Sequence, residues 1–284
     1  MRISIEPGYE DMITSCIFES GFSGLEELTA DDRILINAYY HHAAHSPDQL
    51  EQFKRSITEI PVFEKSKPYE ILSVEDIPDQ DWEKNWRRGL KANEIGSRFV
   101  VRPSWIDYTT TGSRIEIIID PKMAFGTGGH ATTRLCMEML ENIQLDGLTV
   151  IDAGCGSGIL SIAAVKLGAE SVFGFDHDSF SVENALENIR LNGVEDSITI
   201  VEADIMAVAP EPADLVLANM ISGVLIPGLP RLHGFLKPEG IVVFSGLLAE
   251  EETLFTDALN REGLRIIEKS QADEWIALKA VGNE

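Results

Sequence analysis

The alternation of apolar and polar positions divides the chain into two parts with different architectures. In the first part, strand-like and helix-like segments follow in the order βαββαβ, which is typical of a small ferredoxin-like α+β domain. The predicted strands are Arg2–Glu6, Phe22–Leu28, Arg33–Tyr39 and Tyr69–Val74, and the predicted helices are Tyr9–Ser20 and a segment that opens at Ser46-Pro47-Asp48.

In the second part, which begins near Arg114, apolar runs of strand length alternate with helical stretches. This alternation predicts an α/β fold with a doubly wound, mostly parallel sheet of seven strands. The predicted strands are Leu148–Ile151, Ser171–Phe175, Ile198–Val201, Asp214–Ala218 and Ile241–Phe244, followed by an edge hairpin near Leu264–Ile267 and Trp275–Leu278.

A segment of different charge lies between the two parts. Residues 81–110 carry six basic and four acidic side chains, whereas the flanking parts are strongly acidic. We therefore predict domains at residues 1–77 and 98–284, joined by a linker at residues 78–97 in which Trp82 and Trp86 share a helix face. The basic cluster fits a nucleic-acid contact or, preferably, a solvated surface between acidic domains. Its members are Lys84, Arg87, Arg88, Lys91, Arg98 and Arg102.

Composition narrows the class of protein. With 284 residues, 44% of them hydrophobic, the chain is long enough for a sizeable core and is not a disordered polymer. The net charge of −24 repels nucleic-acid phosphate and favours a basic partner, although many soluble proteins are simply acidic. Three dispersed cysteines, no apolar run of membrane-spanning length and no leader-like start predict a reduced, cytoplasmic protein without disulfides.

Glycines and an acid mark two neighbouring strand ends in the second part. Gly154, Gly156 and Gly158 follow one apolar run, and Asp176 ends the next. Glycines let backbone approach a ligand, and a carboxylate at that edge accepts hydrogen bonds from ribose hydroxyls, so a nucleoside cofactor is favoured over an empty tight turn. The G-x-G-x-G spacing with nearby Asp152 suits cationic, phosphate-free S-adenosylmethionine better than a dinucleotide.

Residues 111–284 resemble the class I S-adenosylmethionine-dependent methyltransferases. The run Asp120-Pro121-Lys122-Met123-Ala124-Phe125-Gly126-Thr127-Gly128-Gly129-His130-Ala131-Thr132-Thr133 resembles the signature of the bacterial ribosomal-protein methyltransferases called PrmA. The similarity extends to the small first domain, the linker and the strand end Leu217-Ala218-Asn219-Met220. It implies methylation of amino groups, on lysine side chains or the N-terminal amine, of protein eleven of the large ribosomal subunit. The first domain, which lacks any catalytic constellation, would recognise this basic substrate.

The resemblance also implies the site residues. Thr133, Gly154, Asp176 and Asn219 are expected to contact S-adenosylmethionine, with Gly156 in the same glycine loop and Asp204 beside the adenine. Gly129 stands where Thr is more usual in the family, and Ala131 where Pro is more usual. The product would be S-adenosylhomocysteine. No metal, membrane or direct nucleic-acid contact is expected, and the protein is expected to be a monomer.

Asn219 has a second, catalytic role on physical grounds. A lysine amine must lose a proton before it attacks a methyl group, which costs about 4–5 kcal/mol at pH 7. A carboxylate at the acceptor position would stabilise the inert ammonium, whereas the neutral amide oxygen of Asn219 orients the free amine. An ordinary strand-end cap is the structural alternative for this residue.

Several rival interpretations remain open at this point. The chain could methylate RNA or another protein, transfer hydride with a nicotinamide cofactor, or bind a ligand without catalysis. His130 fits a substrate contact and a structural loop residue equally well. Cys155 fits packing better than nucleophilic catalysis, because no histidine stands near it in sequence. A metal site at His41, His42 and His45 is much less favoured than a solvated surface, because no further ligand follows at a useful spacing.

Overall fold

A computed structural model of the chain describes residues 1–7, 9, 13, 14, 16, 17, 20, 22, 24–30, 33–39, 48–58, 69–75, 91–108, 112–120 and 128–283. The internal contacts divide the chain into two compact units, Met1–Trp86 and Arg87–Glu284. None of the helices in these described ranges is long and apolar enough to cross a membrane.

The first unit contains a four-stranded antiparallel sheet with the order β2-β3-β1-β4. Its core contains Ile3, Ile36 and Phe53, all fully buried. This strand order is the ferredoxin-like one that the sequence predicted. The elements are β1 (Arg2–Ile5), β2 (Gly24–Ala30), β3 (Arg33–Tyr39), α1 (Asp48–Thr58) and β4 (Tyr69–Ser73).

The second unit begins with a small three-stranded sheet. In it β5 (Asn93–Ile95) pairs antiparallel with β6 (Phe99–Arg102), which pairs parallel with β7 (Ile115–Ile118). Strand β5 lies within the predicted linker at 78–97, yet it is a strand of this sheet and its Ile95 is fully buried. A strand of three residues is too short to give a readable alternation.

The main sheet of the second unit has seven strands in the order β10-β9-β8-β11-β12-β14-β13. Strands β8 to β12 run parallel, and β14 is antiparallel to both of its neighbours. The predicted doubly wound, mostly parallel α/β sheet with a terminal hairpin is thus confirmed. The strands are β8 (Thr149–Ala153), β9 (Ser171–Asp176), β10 (Ile198–Glu202), β11 (Ala213–Asn219), β12 (Leu236–Leu248), β13 (Leu264–Ala272) and β14 (Trp275–Gly282).

Helices cover both faces of this sheet. One apolar core joins the sheet to α2, α3 and α4, and the other joins it to α5 and α6. Their bounds are α2 (Ala131–Leu140), α3 (Ile159–Lys166), α4 (Ser179–Leu191), α5 (Ser222–Gly234) and α6 (Glu252–Arg261). The chain order of the strands reverses between β8 and β11, so a crevice opens beyond their carboxyl ends.

Candidate active site

A pocket of about 710 Å³ lies at the carboxyl ends of β8, β9 and β11. All six residues predicted to bind the cofactor line it, although they come from distant parts of the sequence. They are Thr133, Gly154, Gly156, Asp176, Asp204 and Asn219. The rest of the lining is largely apolar and includes Ile159, Leu160, Phe175, Ile205, Met220 and Trp275.

The glycine loop between β8 and α3 needs glycine for conformation and for space. Gly154, Gly156 and Gly158 have φ angles of 69°, 52° and 78°, in the left-handed region that other residues avoid. A Cβ atom on Gly154 would also lie 2.8 Å from the sulfur of Met220. The loop therefore presents bare backbone to the pocket, as a nucleoside site requires.

Asp176 ends β9, and both of its carboxylate oxygens accept hydrogen bonds from backbone amides. Its Oδ2 accepts a hydrogen bond from the Gly156 amide at 2.9 Å, and its Oδ1 accepts one from the Asp178 amide at 3.1 Å. Asp178 in turn caps α4 by accepting hydrogen bonds from Phe180 N and Ser181 N. A carboxylate offers about four lone-pair sites, so the oriented group keeps acceptor capacity for ribose hydroxyls.

Asp152 lies beneath the glycine loop and shapes its electrostatics. It is fully buried, and its Oδ2 accepts hydrogen bonds from the amide and hydroxyl of Ser161 in α3 at 3.0 and 2.6 Å. Burial raises the pKa of Asp152 to about 6, although the Ser161 bonds oppose that shift and nearby Asp176 adds to it. Of these two carboxyl groups, that of Asp176 lines the pocket, and that of Asp152 is buried next to the glycine loop.

Two residues that line the pocket each have a buried oxygen atom without a hydrogen-bond partner among the described residues. These atoms are Oγ1 of Thr133, a fully buried residue in the first turn of α2, and Oδ1 of Asn219, at the end of β11. A buried acceptor without a partner is costly, so such atoms indicate a ligand that supplies donors or positive charge. Both residues line the pocket, and S-adenosylmethionine, with an ammonium, a sulfonium and ribose hydroxyls, can supply donors and positive charge there.

His130 and Cys155, both left open by the sequence, have clear structural positions. His130 is the N-cap of α2, where its Nδ1 accepts a hydrogen bond from Thr132 N at 3.3 Å, and its ring meets that of Trp275 at 5.0 Å. Cys155 is buried, and burial raises the pKa of its thiol well above the usual value, so it is a packing residue at neutral pH.

Asp204 is the most exposed of the predicted site residues. Its Oδ1 accepts a hydrogen bond from Met206 N at 2.7 Å, which fixes the turn after β10. That turn places Ala203 and Ile205 in the pocket wall next to Asp176, whose carbonyl accepts from Ala203 N. The apolar side chains of Ala203 and Ile205 suit contact with a purine ring.

Sequence reasoning missed two parts of the pocket. Gly246 lies in β12 with a φ of 82°, and a Cβ there would lie 2.5 Å from the Met220 carbonyl. Trp275 enters the pocket from the distant β13–β14 hairpin. The position of Gly246 within an apolar run was a signal that could have been used. No local sequence pattern predicts that Trp275, which is far away in sequence, contacts the pocket.

Some predicted features lie outside the described residues. They include the centre of the signature run at 121–127, Trp82, Trp86, His41, His42, His45 and the basic residues Lys84, Arg87 and Arg88. Of the described part of the basic cluster, Arg102 bonds Glu116 at 2.7 Å and the carbonyls of Pro103 and Ile106. This guanidinium is therefore used within the fold.

Comparisons with known proteins show the family of the chain. A family model described as ribosomal protein L11 methyltransferase (PrmA) matches residues 5–283. The ribosomal protein L11 methyltransferase of Caldanaerobacter subterraneus subsp. tengcongensis is 36% identical over 253 residues, or 88% of this chain and 81% of the relative. That of Thermoanaerobacter pseudethanolicus is 33% identical over 268 residues, or 94% of this chain and 83% of the relative.

A solved structure is also similar. The crystal structure of ribosomal protein L11 methylase from Lactobacillus delbrueckii subsp. bulgaricus superimposes with a TM-score of 0.65 at 34% identity, and the match covers 68% of this chain and 99% of that one. The sequence similarity, unlike this superposition, extends over nearly the full length of the chain.

Proposed function

The chain belongs to the ribosomal protein L11 methyltransferase (PrmA) family, and we propose that it transfers methyl groups from S-adenosylmethionine to amino groups of ribosomal protein L11. The composition of the pocket is the observation that supports this function. Six residues predicted from the sequence line one cavity there, and two of them, Thr133 and Asn219, each carry a buried oxygen that has no partner among the described residues.

Separate residues would bind the parts of S-adenosylmethionine. Asp176 would accept from the ribose hydroxyls, and Ala203, Asp204 and Ile205 would contact the adenine. The glycine loop and Thr133 would contact the methionine end. When bound, the cofactor supplies an electrophilic methyl group on a sulfonium and leaves as S-adenosylhomocysteine.

Asn219 would orient the acceptor amine. Its amide oxygen lacks a partner in the described structure, and its chain neighbour Met220 is fixed by a hydrogen bond from its amide to the Ser245 carbonyl at 3.1 Å. A neutral oxygen accepts from an uncharged amine without stabilising the ammonium form as a carboxylate would. The enzyme thus contributes alignment and desolvation, and the proton is lost to solvent before transfer.

The charge of the chain fits a basic substrate. A net charge of −24 attracts a lysine-rich protein and repels RNA, which disfavours the RNA methyltransferase alternative. We propose that the first unit recognises L11 and that the second carries the chemistry. We also propose that the protein is a monomer, that it works in the cytoplasm and that it uses no metal.

Two measurements test this function together. Calorimetric titration should show binding of S-adenosylmethionine and no binding of NAD, which separates a methyltransferase from an oxidoreductase. Mass spectrometry of purified L11 incubated with enzyme and S-adenosylmethionine should show mass increases of one or more methyl groups on amino groups. Cofactor binding without any mass increase would identify a silent binding module and contradict the proposal.

A further inference from the structure

Three asparagines recur at every fourth position along α4. Asn184, Asn188 and Asn192 lie on one face of the helix, continuing into its C-cap. Asparagine is a poor helix former, so this period requires another reason. Asn184 and Asn188 are fully buried, far from the usual exposure of this residue type.

All three side chains bind the backbone of β7 or of the residues that follow it. Asn192 donates to the Ile118 carbonyl at 2.6 Å and accepts from the Ile118 amide at 3.0 Å. Asn188 accepts from the Asp120 amide at 2.9 Å, and Asn184 donates to the Asp120 carbonyl at 3.0 Å. The backbone amide and the backbone carbonyl of Asp120, the first residue of the family signature, are therefore both hydrogen-bonded to side chains of α4.

Asn188 differs from Asn192 in one respect. Its Nδ2 also donates to the carbonyl of Ser157, within the glycine loop, at 2.9 Å. A single amide side chain thus bridges the glycine loop and the start of the signature run. Both long-range hydrogen bonds of Asn192 join it to Ile118 in β7, away from the pocket.

The third glycine of the loop allows this bridge to form. A Cβ on Gly158 would lie 3.2 Å from the Cβ of Ala185, the residue next to Asn184. Because Gly158 has no side chain, α4 packs directly against the loop. The carboxylate of Asp120 adds bonds to the amide and hydroxyl of Ser104 at 2.6 and 2.7 Å. Asp120, the first residue of the signature run, is thereby fixed relative to the glycine loop.

We infer that Asn184 and Asn188 are positioning residues for the cofactor site, acting through Asp120 and Ser157 without touching the pocket themselves. This inference rests on the proposed function. Without Asn188 the glycine loop loses the hydrogen bond from the Asn188 side chain to the Ser157 carbonyl, so the backbone that lines the pocket is held less firmly in its binding geometry. Asn184 Oδ1 is buried without a partner among the described residues, so the Asn184 side chain carries an energetic cost.

The test compares Asn188→Ala with Asn192→Ala in the full-length protein. Each variant removes an asparagine that makes two long-range hydrogen bonds from the same helix face, so both should lower the melting temperature. Only Asn188→Ala should weaken the affinity for S-adenosylmethionine, by about fivefold to tenfold, because one bond to the loop is worth roughly that factor. The affinity of Asn192→Ala should stay within about twofold of wild type.

Asn184→Ala provides a second, milder variant in case Asn188→Ala does not fold. It removes the bond to the Asp120 carbonyl, and it should weaken affinity while leaving the melting temperature at or above that of Asn192→Ala. Equal cofactor affinities in Asn184→Ala, Asn192→Ala and wild type would overturn the inference. Absence of S-adenosylmethionine binding by the wild-type protein would instead overturn the proposed function on which it rests.

Discussion

At the scale of single residues, the pocket is organised by backbone groups before any ligand binds. The Gly156 and Asp178 amides orient the carboxylate of Asp176, and the Thr132 amide bonds to the ring of His130. The oxygens left without described partners, Thr133 Oγ1 and Asn219 Oδ1, are those that the cofactor and the acceptor amine would use. Preorganisation of this kind lowers the entropic cost of binding.

Substitution of Asp176 should reduce cofactor affinity. Asp176→Ala removes the ribose acceptor and the partner of the Gly156 amide, which should weaken S-adenosylmethionine binding by about 1.5–3 kcal/mol, or roughly tenfold to a hundredfold. Asp176→Asn is the control, since it retains an acceptor oxygen and should lose less. Calorimetry measures both; unchanged affinity in the alanine variant would exclude Asp176 from the site.

Substitution of Asn219 should instead affect transfer. Asn219→Asp preserves shape but places a negative charge beside the acceptor, which stabilises its ammonium form. Turnover at saturating S-adenosylmethionine should fall by about tenfold or more, while cofactor affinity changes by less than about threefold. Turnover equal to wild type would reduce Asn219 to a strand-end residue.

At the scale of elements, the sequence predicted the strands of the four-stranded and the seven-stranded sheets because each is an apolar or alternating run. Boundaries were less accurate: β12 extends from Leu236 to Leu248, well beyond the apolar core Ile241–Phe244 on which its prediction rested. The short strands β5, β6 and β7 were missed, and the pocket contact of Trp275 and the hydrogen bonds of the α4 asparagines are evident only in the structure. Their contacts link positions far apart in sequence, which local periodicity does not encode.

A hydrogen-bonded cluster joins the starts of three strands at the edge opposite the pocket. Asp214 Oδ2, in β11, accepts from the amide and hydroxyl of Thr149 in β8 and from Lys237 in β12. Burial alone would raise the pKa of Asp214, but bonds from Thr149 and Lys237 outweigh it and lower the pKa to about 2. This cluster ties β8, β11 and β12 together where they begin.

Asp214→Asn should therefore destabilise the protein in a pH-dependent way. Because the folded-state pKa lies below the ordinary value of 3.8, the stabilisation is complete above about pH 4 and is lost as pH falls towards about 2. At pH 7 the variant should lose about 1–2 kcal/mol of unfolding free energy, and the gap should close in acid. Denaturant titrations at several pH values measure it; a gap independent of pH would show that the carboxylate charge is irrelevant.

At the scale of the whole molecule, chemistry and recognition are assigned to different units. Every residue proposed to bind the cofactor lies after position 130, in the unit Arg87–Glu284. The first unit has its own core and sheet and contributes no residue to the described lining of the pocket. Because exposed charges are screened beyond roughly 10 Å at 0.1 M salt, association of the acidic chain with a basic substrate should slow as salt rises.

The separation of roles predicts the behaviour of a fragment. Residues 87–284 retain β5, the main sheet and the glycine loop, so this fragment should fold and bind S-adenosylmethionine with wild-type affinity. Its kcat/KM on folded L11 should fall by about a hundredfold, because the proposed recognition surface is absent. Steady-state kinetics on the same substrate compare it with the full chain, and equal specificity constants would show that the first unit does not recognise L11.

The most direct test of the central claim is the identity of the methylated molecule. Tritiated S-adenosylmethionine and the purified enzyme are added to a lysate of cells that lack this gene, and labelled macromolecules are separated and identified. We expect one dominant labelled protein, ribosomal protein L11, with the label on amino groups. The Asn219→Asp variant should label it much less. Label in RNA, or in a different protein with L11 present and unlabelled, would contradict it.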